Sequence, residues 1–254
     1  MTLALFLACS GSISEERSRE CAIDEGDFEA WVPADRSSPL PVVMYIHGYN
    51  GSPSQVSGDE VAMAAFADAG ILLLIPDSPN GSWDVRLSSS TRDDLGFFDA
   101  ILGAAESCWG IDESRVYATG FSIGGTMAHQ LACHRGEVFS ASAPISGTFW
   151  EPMPESCAAP PIPIRHTHGL ADNTWPYEGQ QFSPQAVQGA VEDGIAFWLT
   201  HNSAPDETTT ETDGELTCTI WAGEAEVQLC THDAGHTRLA GWAERMIAWF
   251  NNVR

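Results

Sequence analysis

At 254 residues, with 11 basic against 35 acidic side chains and a net charge of −24, the chain can bury a large core and repels nucleic acid and anionic lipid. Both are excluded as partners. No internal repeat or long linker divides the sequence, so residues 21–254 are read as a single domain. The excess of acid with so little lysine fits a salty habitat, where counterions screen self-repulsion, and equally an acidic secreted protein.

In chain order, Leu3 to Ala8 is an apolar run that ends at Cys9 and Ser10, the pattern of a lipoprotein-type signal with Cys9 as the lipidated residue. No Lys or Arg precedes it and the run is short, so the true start is expected upstream or the signal truncated; an ordinary cleaved signal is the alternative. Residues 1–20 are therefore read as a signal remnant and polar tether. Strands are expected near Phe28–Val32, Val42–His47, Ile71–Pro76, Val116–Phe121, Ser140–Ile145, Ile162–His168 and Val227–Thr231. Helices are expected near Glu60–Ala69, Asp93–Ser107, Ile123–Arg135, Ala186–His201 and Leu239–Asn251. Asp93 and Asp94 suit a helix N-terminus and Gly70 a helix end. Apolar strands alternating with amphipathic helices specify an α/β fold with a mostly parallel sheet covered on both faces.

The chemistry is concentrated at Gly120-Phe121-Ser122-Ile123-Gly124, a G-x-S-x-G string between an apolar strand and an apolar helix. A sharp strand-to-helix turn holds Ser122 in a strained backbone with its hydroxyl projecting, and Gly120 and Gly124 let strand and helix pass closely. A nucleophilic serine needs donors for an oxyanion. The strand run Pro41 to Ile46 ends in His47-Gly48-Tyr49-Asn50-Gly51, so the Tyr49 N–H can converge with the Ile123 N–H at the helix's positive end. The competing reading is an ordinary turn with a buried histidine. Asp172 lies on a loop after the run Pro161 to His168 and is the candidate acid. His232 and His236 both follow the last strand; His236, beyond a glycine on a flexible turn, is preferred as the base.

Together, Gly-Phe-Ser-Ile-Gly-Gly, His47-Gly48-Tyr49-Asn50-Gly51-Ser52, His168-Gly169-Leu170-Ala171-Asp172 with Pro176-Tyr177, and Gly235-His236-Thr237 resemble the polyhydroxybutyrate-depolymerase and feruloyl-esterase group of α/β-hydrolases. The approach to the elbow, Ile111 to Gly120, matches too, and the resemblance runs from about Trp31 to the C-terminus. It implies secreted carboxylic-ester hydrolysis with Ser122, Asp172 and His236 as the triad, and no cofactor. The sequence departs from the group where Arg238-Leu239 follows Gly-His-Thr in place of Trp-Pro. Arg238 is then either a binder of a substrate carboxylate or one half of a surface salt bridge. The group's first antiparallel strand is expected to be reduced.

With Cys9 set aside, six cysteines remain for disulfides. Cys218 and Cys230 flank a turn at Gly223-Glu224 and would face each other across a hairpin; Cys133 follows the elbow helix and Cys157 lies in the next loop; Cys21 with Cys108 remains by elimination. No metal-ligand spacing occurs. Trp83, Trp150 and Trp175 each follow a different strand, and they either wall an acyl cleft or pack their loops onto the core. The expected protein is a monomeric esterase acting on a small or polymeric ester, extracytoplasmic, touching membrane only through a lipid anchor. Rival readings are a serine peptidase of the prolyl-oligopeptidase type, which leaves no room for its usual extra domain, and a non-catalytic adhesin-like lipoprotein, which has no reason to keep all three residues.

Overall fold

The computed structural model describes residues 13–15, 21–78, 80–89 and 92–253; Cys9 and most of the expected tether lie outside them. Its elements run β1 (Ile13–Glu15), β2 (Phe28–Pro33), β3 (Leu40–Ile46), α1 (Ser54–Ser57), α2 (Glu60–Asp68), β4 (Leu72–Pro76), α3 (Asp94–Trp109), β5 (Ile111–Phe121) and α4 (Ile123–His134). They continue with β6 (Ala141–Ile145), β7 (Trp150–Glu151), β8 (Ile164–Gly169), β9 (Gln180–Ser183), β10 (Ala186–Gln188), α5 (Val191–His201), β11 (Thr209–Asp213), β12 (Leu216–Trp221), β13 (Val227–His232) and α6 (Trp242–Phe250).

The main sheet has the order β1-β2-β4-β3-β5-β6-β8-β13-β12-β11. Its centre, from β4 to β13, is parallel throughout, and antiparallel strands close each edge. Alternation along β3 shows why both faces need cover. Val42, Met44 and Ile46 enter one core with Phe98 and Ile101 of α3, Met127 and Leu131 of α4, and Trp198 of α5. Val43 and Tyr45 enter the opposite core with Phe66 of α2 and Trp242, Met246 and Phe250 of α6. With each side chain pointing the opposite way from the last, continuous apolar strands require helices on both sides. Among the described residues no helix is long and apolar enough to cross a membrane.

Several expectations are corrected. The helix read from Ala186 starts at Val191, and Ala186–Gln188 instead forms β10, paired with β7 and β9 in a small second sheet. Gly189 forces this change of course: a Cβ there would lie 2.7 Å from the Phe149 carbonyl oxygen, and that carbonyl accepts the Gly189 N–H. β5 begins at Ile111, five residues before Val116, and β11, too polar to read as a strand, pairs with β12 at the sheet edge. Among the described residues the first strand is Ile13–Glu15, antiparallel to β2. All three expected disulfides form: Cys21–Cys108, Cys133–Cys157 and Cys218–Cys230, the last between directly opposed residues of β12 and β13.

Candidate active site

Ser122 stands between β5 and α4 with φ 59° and ψ −124°, a backbone region that costs a non-glycine residue on the order of 1–3 kcal/mol. Close packing on three sides maintains it. A Cβ on Gly120 would come within 2.3 Å of the Gly124 carbonyl oxygen, one on Gly124 within 2.1 Å of that of Ile46, and one on Gly147 within 1.9 Å of that of Ser122. The first two contacts were legible in the motif. Gly147, after β6, was not; only its nearness in space gives it a role.

The turn after β3 lies directly beside the serine: a Cβ on Gly48 would be 3.4 Å from the Ser122 Cβ. His47, fully buried, fastens this turn. Its Nδ1 donates to the Gly48 carbonyl at 2.9 Å and its Nε2 accepts from the Ser78 N–H at 3.2 Å, while burial holds its pKa below the usual histidine range. Neighbouring amides are occupied: Gly48 N–H by Gln55 Oε1, Asn50 N–H by the Gly81 carbonyl and Gly51 N–H by the Gly48 carbonyl. Among the described residues no backbone acceptor takes the Tyr49 N–H. Ile123 is the first residue of α4, so its N–H has no partner within the helix. The turn thus contains the buried histidine, and that histidine does not occupy the Tyr49 N–H.

Asp172 sits at the end of the turn after β8 and is 4% exposed. Its Oδ1 accepts the N–H groups of Thr174 and Trp175, each at 2.8 Å, and its Oδ2 accepts His236 Nδ1–H at 2.7 Å. Burial alone would raise the carboxyl pKa, but these bonds outweigh it and bring it below the ordinary value. An ionised, acceptor-only Asp172 fixes the proton of His236 on Nδ1 and leaves Nε2 free to act as a base. The His236 ring packs against Phe121, the residue before Ser122, with centroids 4.7 Å apart. His232 has no such orientation: both its ring nitrogens are buried without a hydrogen-bond partner among the described residues.

The substrate-binding expectations fare less well. Trp83 and Trp175 are buried packing residues. Trp83 Nε1–H donates to the His47 carbonyl at 2.9 Å and its ring packs on Phe98; Trp175 Nε1–H donates to Thr148 Oγ1 at 3.2 Å. Trp150 alone of the three stays partly exposed, edge-on to Trp175 and to the exposed Phe182, with Arg86 over its face. Arg238 forms no salt bridge among the described residues, and its Nη1 has no hydrogen-bond partner there. Its guanidinium lies over the rings of Trp242, Tyr45 and Phe121, and its Nη2 donates to the Gln55 carbonyl at 2.8 Å. It ties the segment after β13 to α1 and α6. Among the described residues no group of three or more His, Cys, Asp and Glu side chains is arranged to hold a metal ion.

No protein-family model matches the chain. It is 29% identical over 224 residues to feruloyl esterase B of Piromyces equi, covering 82% of this chain and 41% of that protein. It is 30% identical over 152 residues to a probable feruloyl esterase C of Aspergillus niger, covering 57% and 53%. The chain thus spans about half the length of the curated relatives it matches. Among solved structures, an acetyl xylan esterase from Aspergillus awamori superposes with TM-score 0.67 at 19% identity, covering 94% of this chain and 99% of that one. Esterase PE8 superposes with TM-score 0.59 at 16% identity, covering 91% and 99%. The resemblance to feruloyl esterases is borne out, and the fold is that of the α/β-hydrolases.

Proposed function

We propose that this chain is an extracytoplasmic serine esterase that hydrolyses carboxylic esters through an acyl-enzyme on Ser122. The observation that carries the reading is the 2.7 Å bond between His236 Nδ1–H and the ionised Asp172, on a loop packed against the strained Ser122 elbow. His236 Nε2 takes the Ser122 proton as Oγ attacks the ester carbonyl, and Asp172 holds the imidazole tautomer and stabilises the imidazolium. The Tyr49 and Ile123 N–H groups receive the oxyanion. His236 then protonates the leaving alcohol, activates water against the acyl-enzyme, and the acid departs. Similarity to feruloyl esterases and the likeness to an acetyl xylan esterase favour feruloyl or acetyl esters, with hydroxyalkanoate esters as the further class implied by the motifs. Three disulfides suit an oxidising compartment, and Cys9 would supply a lipid anchor.

The test is turnover of methyl ferulate and p-nitrophenyl acetate against a peptide anilide, in wild type and Ser122→Ala. The expected result is ester hydrolysis with no anilide cleavage, and a loss on the order of 10⁴-fold or more in the variant with an unchanged melting temperature. A Ser122→Ala protein with near-normal turnover would remove Ser122 from the chemistry.

A further inference from the structure

Three buried histidines have no task in this mechanism. His166 and His168 alternate along β8 toward the face covered by α4 and α5, where His129 of α4 and Trp198 of α5 meet them. The four side chains form one unbroken line of hydrogen bonds. Trp198 Nε1 is 2.8 Å from His129 Nδ1; His129 Nε2 is 3.2 Å from His166 Nδ1; His166 Nε2 is 3.1 Å from His168 Nδ1; His168 Nε2 is 2.8 Å from the Trp175 carbonyl oxygen. Adjacent imidazoles stack at 5.2 and 5.3 Å.

The ends of this line dictate its protons. An indole N–H can only donate, so His129 Nδ1 is bare and its proton is on Nε2. The His129 ring also meets the Gly147 backbone; with the proton on Nε2, His166 Nδ1 at 3.2 Å is an acceptor, and the same logic passes to His168. A carbonyl can only accept, so the last Nε2–H finds its partner. All three imidazoles are therefore neutral and share one tautomer; a second proton on any of them would turn an accepting nitrogen into a donor aimed at another donor. Burial acts in the same direction, holding His129 down to about 3 and His166 well below the histidine range. Among the described residues, titratable groups face the line at both ends: at His168, Asp172 with its Oδ2 3.6 Å from His168 Nε2, the Tyr177 ring at 6.0 Å, and His232 and His236; at Trp198, the His201 ring at 5.8 Å.

The line stops at the residue that holds the acid. Trp175 accepts from His168 through its carbonyl, donates to Asp172 Oδ1 through its N–H, and is anchored to Thr148 through its indole. We propose that His129, His166 and His168 are positioning residues, a directed chain of neutral imidazoles that ties α5, α4 and β8 to the Trp175 backbone and so fixes Asp172 against His236. This rests on the assignment of Asp172 and His236 to the triad.

Two substitutions at His168 test it. Gln sets an amide N–H near the position of Nε2 and keeps the bond to Trp175; Asn keeps an acceptor for His166 and is too short to reach Trp175. The expected result is a kcat loss of no more than about fivefold for His168→Gln. For His168→Asn the expected kcat loss is on the order of 100-fold at nearly unchanged KM, the scale of a small misplacement of catalytic groups. Equal kcat in the two variants would reduce the line to core packing and overturn the proposal. Should His168→Asn not fold, imidazole nitrogen NMR of the wild type decides. Three neutral Nε2–H tautomers at about pH 7 support the proposal; one Nδ1–H tautomer among them, or a protonated imidazole in the folded protein at that pH, overturns it. A fluorophosphonate probe that fails to label wild-type Ser122 would sink the esterase reading instead, and the NMR result would still judge the line.

Discussion

Two histidines four residues apart, His232 closing β13 and His236 on the turn beyond it, have surroundings that give them opposite prospects. His236 is oriented by a carboxylate; His232, 4% exposed with neither ring nitrogen bonded among the described residues, is not. His236→Ala should therefore cost esterase turnover on the order of 10⁴-fold or more, and His232→Ala should leave kcat nearly intact while lowering the melting temperature. The opposite ranking in kcat would move the base to His232. Asp172→Asn should keep the fold yet lose activity by a comparable factor, because an amide oxygen or nitrogen no longer enforces the Nδ1–H tautomer; an active Asp172→Asn enzyme would require another orienting group. These three residues were legible because an elbow, a post-strand acid and a post-strand histidine each carry a local pattern. Trp83, Trp175 and Arg238 were harder to read for a physical reason. Sequence tells which loop carries a ring, and only packing tells whether its face meets solvent or Phe98. The His129 line is hidden for the same reason: its bonds join residues 37 and 69 positions apart.

At the level of elements, the strands buried on both faces were recognisable as apolar runs, and the helices beside them by their spacing. Failures fell where burial is one-sided or absent. β11, Thr-Thr-Glu-Thr-Asp, has no buried face and is a strand only because β12 lies alongside. β10 reads as the start of a helix until Gly189 is seen against the Phe149 carbonyl. Two helix glycines show how differently the same residue can be used. Gly124, in the first turn of α4, has the Ile46 and His47 carbonyl oxygens 2.1 and 2.6 Å from where a Cβ would sit. Backbone cannot yield there, so Gly124→Ala should separate the elbow from β3, with loss of both stability and turnover. Gly103, inside α3, has nothing within 4 Å of that point. Gly103→Ala should stabilise by about 0.8–1 kcal/mol through helix propensity alone, which is roughly 2–4 °C in melting temperature for a domain of this size. Calorimetry of the two variants checks both signs, and a neutral Gly124→Ala would mean the elbow is looser than its contacts imply.

Over the whole molecule, a net charge of −24 suggests that mild acid should help by relieving self-repulsion. The buried and half-buried histidines reverse that expectation. His47, His129, His134, His166, His168, His201 and His232 all have folded-state pKa values below their ordinary one, with burial the leading cause in each. A group whose folded pKa is depressed takes up protons on unfolding once the pH falls below its unfolded value, near 6.5 for histidine. Each contributes stability that is fully present above that pH and is lost as the pH falls toward its folded pKa, about 3 for His129. Every fully protected imidazole costs about 1.4 kcal/mol per pH unit in that window. Asp172, also depressed, loses its contribution only below the carboxylate range near 3.8 and does not act between pH 5 and pH 6.5. Relief of repulsion requires carboxylates to be protonated, and the ordinary carboxylate value of about 4 lies below the histidine window. Chemical denaturation across about pH 7 to 5 should therefore show stability falling, with a slope of about two to four protons taken up on unfolding. Stability that held constant or rose over that range would mean the buried imidazoles are already charged in the folded protein, and the directed line from Trp198 to Trp175 could not then exist as drawn.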